Sequence, residues 1–177
     1  MSRHPIDAGI RPHGEEEPEG PGVPSDAFRE ALSRWSTTVT IVAVRDGPAV
    51  HATTVTSFFP VSADPPLVAI SLGAGAQVLP WLEEGARFVV SFLGEDQRRV
   101  ASTHADAFPV GPSPFPDEGD PVVAGAVEAL MCMVEAVHEA GAGARIVVAR
   151  VVSTWEGAGD RPLLYHRRAY RKLAPEE

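Results

Sequence analysis

The chain has 177 residues, with 24 acidic side chains against 15 Lys and Arg and a formal net charge of −9. That length suits one domain with a sizeable core, and the acidic balance repels a phosphate backbone, which argues against DNA or RNA as a partner. One cysteine, Cys132, forbids a disulfide framework within the chain and fits a reducing, cytoplasmic setting.

No apolar run is long enough to span a bilayer, so no membrane partner is expected, and the first residues lack the charged-then-apolar pattern of a secretory leader. Residues 1–24 are rich in Pro, Gly and Glu and read as a disordered or extended tail. Residues 25–177 read as the folded domain. Ser25 stands as an N-cap for a short helix, "DAFREALSRW", whose Phe28, Ala31, Leu32 and Trp35 share a face. "TTVTIVAV" and "VHATTV" are predicted strands joined by an Asp-Gly turn, and "PLVAISL" is a strand covered on both faces. The intervening "TSFFPVSADP" is predicted as a loop. "AQVLPWLEEG" is predicted as a brief helix ended by Gly85. "RFVVSFL" is a strand, and in "EDQRRVASTHA" a helix carries Gln97, Val100, Ala101 and His104 on one face. Residues 109–121 hold five prolines and form a long irregular loop, of the kind that borders a site and orders when ligand binds. Two long strands follow, from Val127 to Glu156, joined by a Gly-Ala turn, and "RPLLYHRRAYRKL" closes the chain with a short strand and a strand or loop. Hairpins outnumber βαβ units, so the fold class is mainly β with flanking helices, an antiparallel β-barrel.

The usual chemistries find little support. The six histidines lack ligand spacing, so no metal site is expected. Cys132 sits between two methionines in an apolar strand, and no Gly-x-Ser-x-Gly elbow exists. The acids lie in surface-like runs. What stands out is "HATTVTSFFPVSADPPLVAISL", residues 51–72. A strand needs one polar face, yet Thr53, Thr54, Thr56 and Ser57 fall on both. Ser62 follows, and Asp64-Pro65-Pro66 stiffens the entry to the next strand. Hydroxyls and free N–H groups on a stiff loop suit a cofactor's phosphate and polar ring edge.

These residues resemble the flavin reductase-like family with the FMN-binding split-barrel fold. The specific part is the Thr-x-x-Ser-Phe…Val-Ser-x-Asp-Pro-Pro-Leu run; "RFVVSFLGEDQRRVAS", "VEALMCMV" and "RPLLYHRRAY" extend the likeness from Phe28 to Leu173. The resemblance implies a homodimer with FMN or FAD in each subunit, NADH or NADPH as hydride donor, and a separate flavin-dependent monooxygenase that receives reduced flavin. By position, Thr54, Val55 and Thr56 would face the ring system, and Ser57 joins the cofactor-binding set. Ser62 and the bend carrying Leu72, Gly73, Ala76 and Gln77 would meet the ribityl chain and phosphate, with His104 near that end.

The sequence departs from the family's Gly-Asp-His motif, placing Gly143 and Ala144 where Asp and His are expected. Ala52 and Ala76 replace a common Gly and Ser. No catalytic residue is assigned. Arg145 and His138, expected opposite each other across the hairpin, stand as candidate substitutes for the histidine, against the plain reading of a solvent-facing pair. Three functions remain open on residues alone: a NAD(P)H-dependent flavin reductase, a flavin-binding protein with another donor or role, and an interaction module that kept the barrel.

Overall fold

A computed structural model describes residues 22–106, 109–157 and 159–174. The chain divides into two units, the first ending at Arg34 and the second beginning at Trp35. The tail expected over residues 1–24 falls almost wholly outside the described residues. In the first unit α1 spans Ser25–Ser33. Its cap is Pro24, whose carbonyl accepts from Phe28 N–H at 3.0 Å, and Ser25 is already helical. The expected serine cap is thus displaced by one residue, because proline's fixed φ suits the entry and its missing N–H costs nothing there.

Among its described residues the second unit has ten strands: β1 (Thr37–Thr38), β2 (Thr40–Asp46), β3 (Ala49–Val55), β4 (Phe58–Ala63), β5 (Pro66–Leu72), β6 (Arg87–Phe92), β7 (Glu128–Glu139), β8 (Arg145–Glu156), β9 (Leu164–His166) and β10 (Ala169–Arg171). One helix, α2 (Arg98–Ala105), lies between β6 and β7. The expected helix at "AQVLPWLEEG" contracts to a 3-10 turn, Leu79–Trp81. Pro80 removes a donor and breaks the α pattern. The loop expected after Val55 contains a strand, β4, instead. Here β4 is an edge strand with a bulge between Pro60 and Ser62, where a missing ladder N–H is tolerated.

The seven-stranded antiparallel sheet runs β3-β2-β6-β7-β8-β5-β4, and a three-stranded sheet runs β1-β9-β10. No ladder joins β3 to β4, so the expected barrel is not a closed sheet. Yet β3 and β4 follow each other in sequence, separated only by Thr56 and Ser57. Three virtual bonds reach about 11 Å, so the two ends of the sheet must approach each other where the chain crosses. The burial pattern agrees. Alternate residues of six strands, among them Val42, Val55, Ile70, Phe88, Val134 and Val147, meet in one buried cluster. Phe58 of β4 packs against the same cluster, and seven strands can send one face to a single cluster only if the sheet curls around it.

The outer face of β2 and β3 is covered too. Ile41, Ala43 and Ala52 pack with Ala101 of α2, with Phe115 of the proline-rich segment and with Val123 just after it. This is why β2 is buried without interruption from Thr40 to Val44. Thr40, fully buried, satisfies its hydroxyl by donating to Val55 O at 3.0 Å. No helix among the described residues is long and apolar enough to cross a membrane.

Candidate functional site

Where the ends of the sheet approach, a groove of about 390 Å³ opens. One wall is Thr53 to Ser57; the other is Ser71, Leu72, Gly73, Gly75 and Ala76, with Ala105 of α2 at the side. Of the predicted binding residues, Thr54, Val55, Thr56, Ser57, Leu72, Gly73 and Ala76 are brought together here. Ser62, Gln77 and His104 do not line the groove.

The hydroxyls divide by what they bond. Thr54 Oγ1 donates to Ala101 O at 2.7 Å, holding α2 against β3. Ser57 Oγ donates to Ser71 O at 2.5 Å and accepts from Ser71 N–H at 3.2 Å. Thr53 and Thr56 line the groove with no side-chain hydrogen bond to another described residue. A hydroxyl offers one donor and two lone pairs, so these two retain their capacity for a ligand. Ser62 Oγ, near the end of β4, accepts from Asp64 N–H at 3.2 Å, just before the cis Asp64–Pro65 peptide.

His104 belongs to a different hollow, which shares no residue with the groove. It is buried, its Nδ1 donates to Val100 O at 3.0 Å, and its ring meets Phe115 edge-on at 5.5 Å. With Thr103 and the proline-rich residues it lines adjoining hollows of about 330 and 350 Å³, the first of them also lined by Arg45. That loop was expected to border the site; it shares no residue with the groove. Arg45 fastens it, with Nε donating to Gly119 O at 2.7 Å, Nη1 to Asp117 O at 3.1 Å and Nη2 to Pro116 O at 2.5 Å. Phe115 anchors it in the outer core.

The β7–β8 hairpin corrects a second expectation. His138 lies opposite Ile146, and Arg145 opposite Glu139, to which it donates at 2.8 Å. The turn is centred on Ala142, with Gly141, Ala142 and Gly143 all at positive φ and Ala140 N–H bonded to Ala144 O. That centre shifts the register by half a step from a turn between Gly141 and Ala142. Arg145 is therefore already charge-balanced. The tip rests on the groove's second wall: a Cβ on Gly143, at φ +72°, would sit 2.9 Å from Ala74 Cβ. A side chain at 143 would thus be strained in its backbone and would press on Ala74.

Thr53, Ser71 and Ala105 are groove residues that the sequence reading did not name as binding positions. Ser71 carried a signal, being the single hydroxyl in the otherwise apolar "PLVAISL". Cys132 is fully buried, and desolvation pushes its thiol up to about 12, so it is inert packing.

Residues 32–174 match the family model described as flavin reductase like domain. The chain belongs to this family. It is 38% identical over 152 residues to the reductase component of 4-hydroxyphenylacetate 3-monooxygenase from Thermus thermophilus, covering 84% of this chain and 96% of that protein. It is 33% identical over 168 residues to an NADH:riboflavin 5'-phosphate oxidoreductase from Streptomyces pristinaespiralis, covering 92% and 96%. Among solved structures, the NADH:FAD oxidoreductase of Streptomyces globisporus superposes with a TM-score of 0.74 at 28% identity, covering 90% of this chain and all of that one. The groove described above lies inside the matched segment of this flavin reductase-like chain.

Proposed function

We propose that this chain is an NADH-dependent flavin reductase that supplies reduced flavin to a separate monooxygenase, and that the groove between Thr53–Ser57 and Ser71–Ala76 holds the flavin. The observation that carries the site is the pair of uncommitted hydroxyls, Thr53 and Thr56, on a groove whose other lining includes Val55, Leu72 and Ala76. A flavin ring has one edge of nitrogen and oxygen atoms and one apolar edge, and this lining offers both kinds of partner. Bound there, the flavin supplies a two-electron acceptor for the nicotinamide's hydride.

The residues hold and orient it. Thr53 and Thr56 bond polar ring atoms; the bend from Leu72 to Ala76, with its backbone N–H groups and two glycines, leaves room for the ribityl and phosphate end. Apolar Val55 and Leu72 exclude water. Ala144, in place of the family's histidine, offers no proton carrier. Hydride transfer asks chiefly for close stacking of two rings, so positioning supplies most of the effect. Arg145, balanced by Glu139, is the weaker candidate substitute; His138 remains exposed on the strand that carries it.

The remaining finer readings rest on separate observations. The curled, open sheet is a split barrel, joined at its ends by covalent continuity through Thr56–Ser57 in place of a ladder. A homodimer is supported by the apolar edge strand β4, where Phe59 and Val61 are about half exposed, a surface that an edge strand normally protects. A cytoplasmic setting fits an NADH donor and a lone buried thiol.

The test is oxidation of NADH and NADPH by the purified chain, followed by loss of nicotinamide absorbance, with FMN, FAD or no flavin added. Flavin-dependent turnover is expected, faster with NADH. No turnover, with flavin binding still measurable, would overturn the reductase reading and leave a flavoprotein with another donor.

A further inference from the structure

The ends of the curled sheet are not joined by a backbone ladder, but the connector between them, Thr56–Ser57, is pinned to β5 by one side chain. β4 and β5 pair from Phe58 opposite Ile70. One residue earlier, Ser57 would face Ser71, yet Ser57 has left the strand to carry the chain back to β3. Its hydroxyl takes over the missing pair. It donates to Ser71 O and accepts from Ser71 N–H, the two bonds that a backbone partner would have made. Ser57 continues the wall of Thr53 to Thr56, and Ser71 begins the wall that runs through Leu72 to Ala76.

We propose that Ser57 is a positioning residue that braces the two walls of the groove and thereby sets its affinity for flavin, without itself donating to the flavin. The hydroxyl has a single proton, and that proton is already committed to Ser71 O. What remains is one lone pair, so Ser57 is a poor donor for ring nitrogens or oxygens, unlike Thr53 and Thr56. With the brace cut, the walls sample wider separations and only a fraction of molecules is ready to bind. Apparent affinity falls by that fraction, while saturating flavin restores the closed groove. This rests on the groove being the flavin site, and the experiment separates the two ideas.

Ser57→Ala and Ser57→Thr are compared with the parent chain. Amide exchange at Ser71 is followed without flavin, and kcat and flavin KM are measured with NADH. For Ser57→Ala the expectation is exchange at Ser71 faster by about tenfold, the factor for one net hydrogen bond. The flavin KM should rise by about tenfold, with kcat at saturating flavin held within about twofold. Ser57→Thr keeps the hydroxyl and should return both readouts toward the parent. A raised KM with unchanged Ser71 exchange would overturn the proposal in favour of direct contact with flavin. Faster exchange with an unchanged KM would overturn it, and the flavin affinity of Thr56→Val, lowered or unchanged, then tells whether flavin occupies the groove at all. If Ser57→Ala does not fold, Ser57→Cys keeps the geometry with a weak donor, and a KM equal to the parent's would equally overturn it.

Discussion

The groove and the hollow beneath the proline-rich loop both border α2, are similar in size, and use their polar groups in opposite ways. Beneath the loop, Arg45 spends three N–H groups on loop carbonyls, Ser113 Oγ bonds within its own segment, and His104 Nδ1 bonds the helix. The polar atoms there build the roof. In the groove, Thr54 and Ser57 serve the frame, but Thr53 and Thr56 are left over. A hollow of adequate volume is common; one lined by hydroxyls that the fold does not need is the better site. The lesson extends to the neighbouring threonines. Thr54 and Thr56 are two residues apart, yet Thr54 is spent on α2.

That contrast breaks most readily at Phe115. Phe115→Ala should cost about 3–5 kcal/mol in urea unfolding, the usual range for emptying a buried aromatic site. Flavin KM should stay within about twofold of the parent; a large rise would join the two hollows into one functional unit. Thr56→Val should weaken flavin binding by about 1–3 kcal/mol in a fluorescence-quenching titration, since a flavin polar atom would be left unpaired. Unchanged affinity would remove Thr56 from the site. Arg45→Met is expected to lose about 1–2 kcal/mol of stability and to speed proteolytic cutting within residues 109–121, with reductase kinetics unaltered. Altered kinetics would show that the loop reaches the groove after all.

The smallest effect concerns Cys132, which faces neither hollow. Its folded pKa is raised by burial from 9.0 to about 12. The folded chain therefore keeps a proton that the unfolded chain gives up, so the contribution is fully present below pH 9 and is lost as pH rises towards 12. At about pH 10 the loss should be on the order of 1 kcal/mol. Cys132→Ala should flatten the alkaline slope of unfolding stability relative to the parent. An unchanged slope would assign it to other groups.

Much of the fold was legible because β-branched alternation is a local property. "TTVTIVAV", "RFVVSFL" and the long β7–β8 hairpin declared themselves, and so did the face of α2 that buries Ala101 and His104. The errors have local causes of their own. Pro60 hid β4, since a proline is tolerated on an edge and sequence does not say which strand is an edge. Pro80 reduced a predicted helix to one 3-10 turn. The hairpin register slipped because a turn of three consecutive positive-φ residues, one of them Ala142, has no unambiguous signature.

The sequence by itself determined that a run of hydroxyls between Thr53 and Ser62 exceeds what a strand requires, and that its surroundings resemble a flavin reductase. Only the tertiary structure decided which hydroxyls are spent and which are free. Thr54 meets a carbonyl 47 positions away, and Ser57 meets Ser71 across the open edge. In the ladder, β3 and β5 stand five steps apart. They face each other because the whole sheet curls around one apolar cluster. Curvature is summed over every strand, so no short stretch of the chain encodes it.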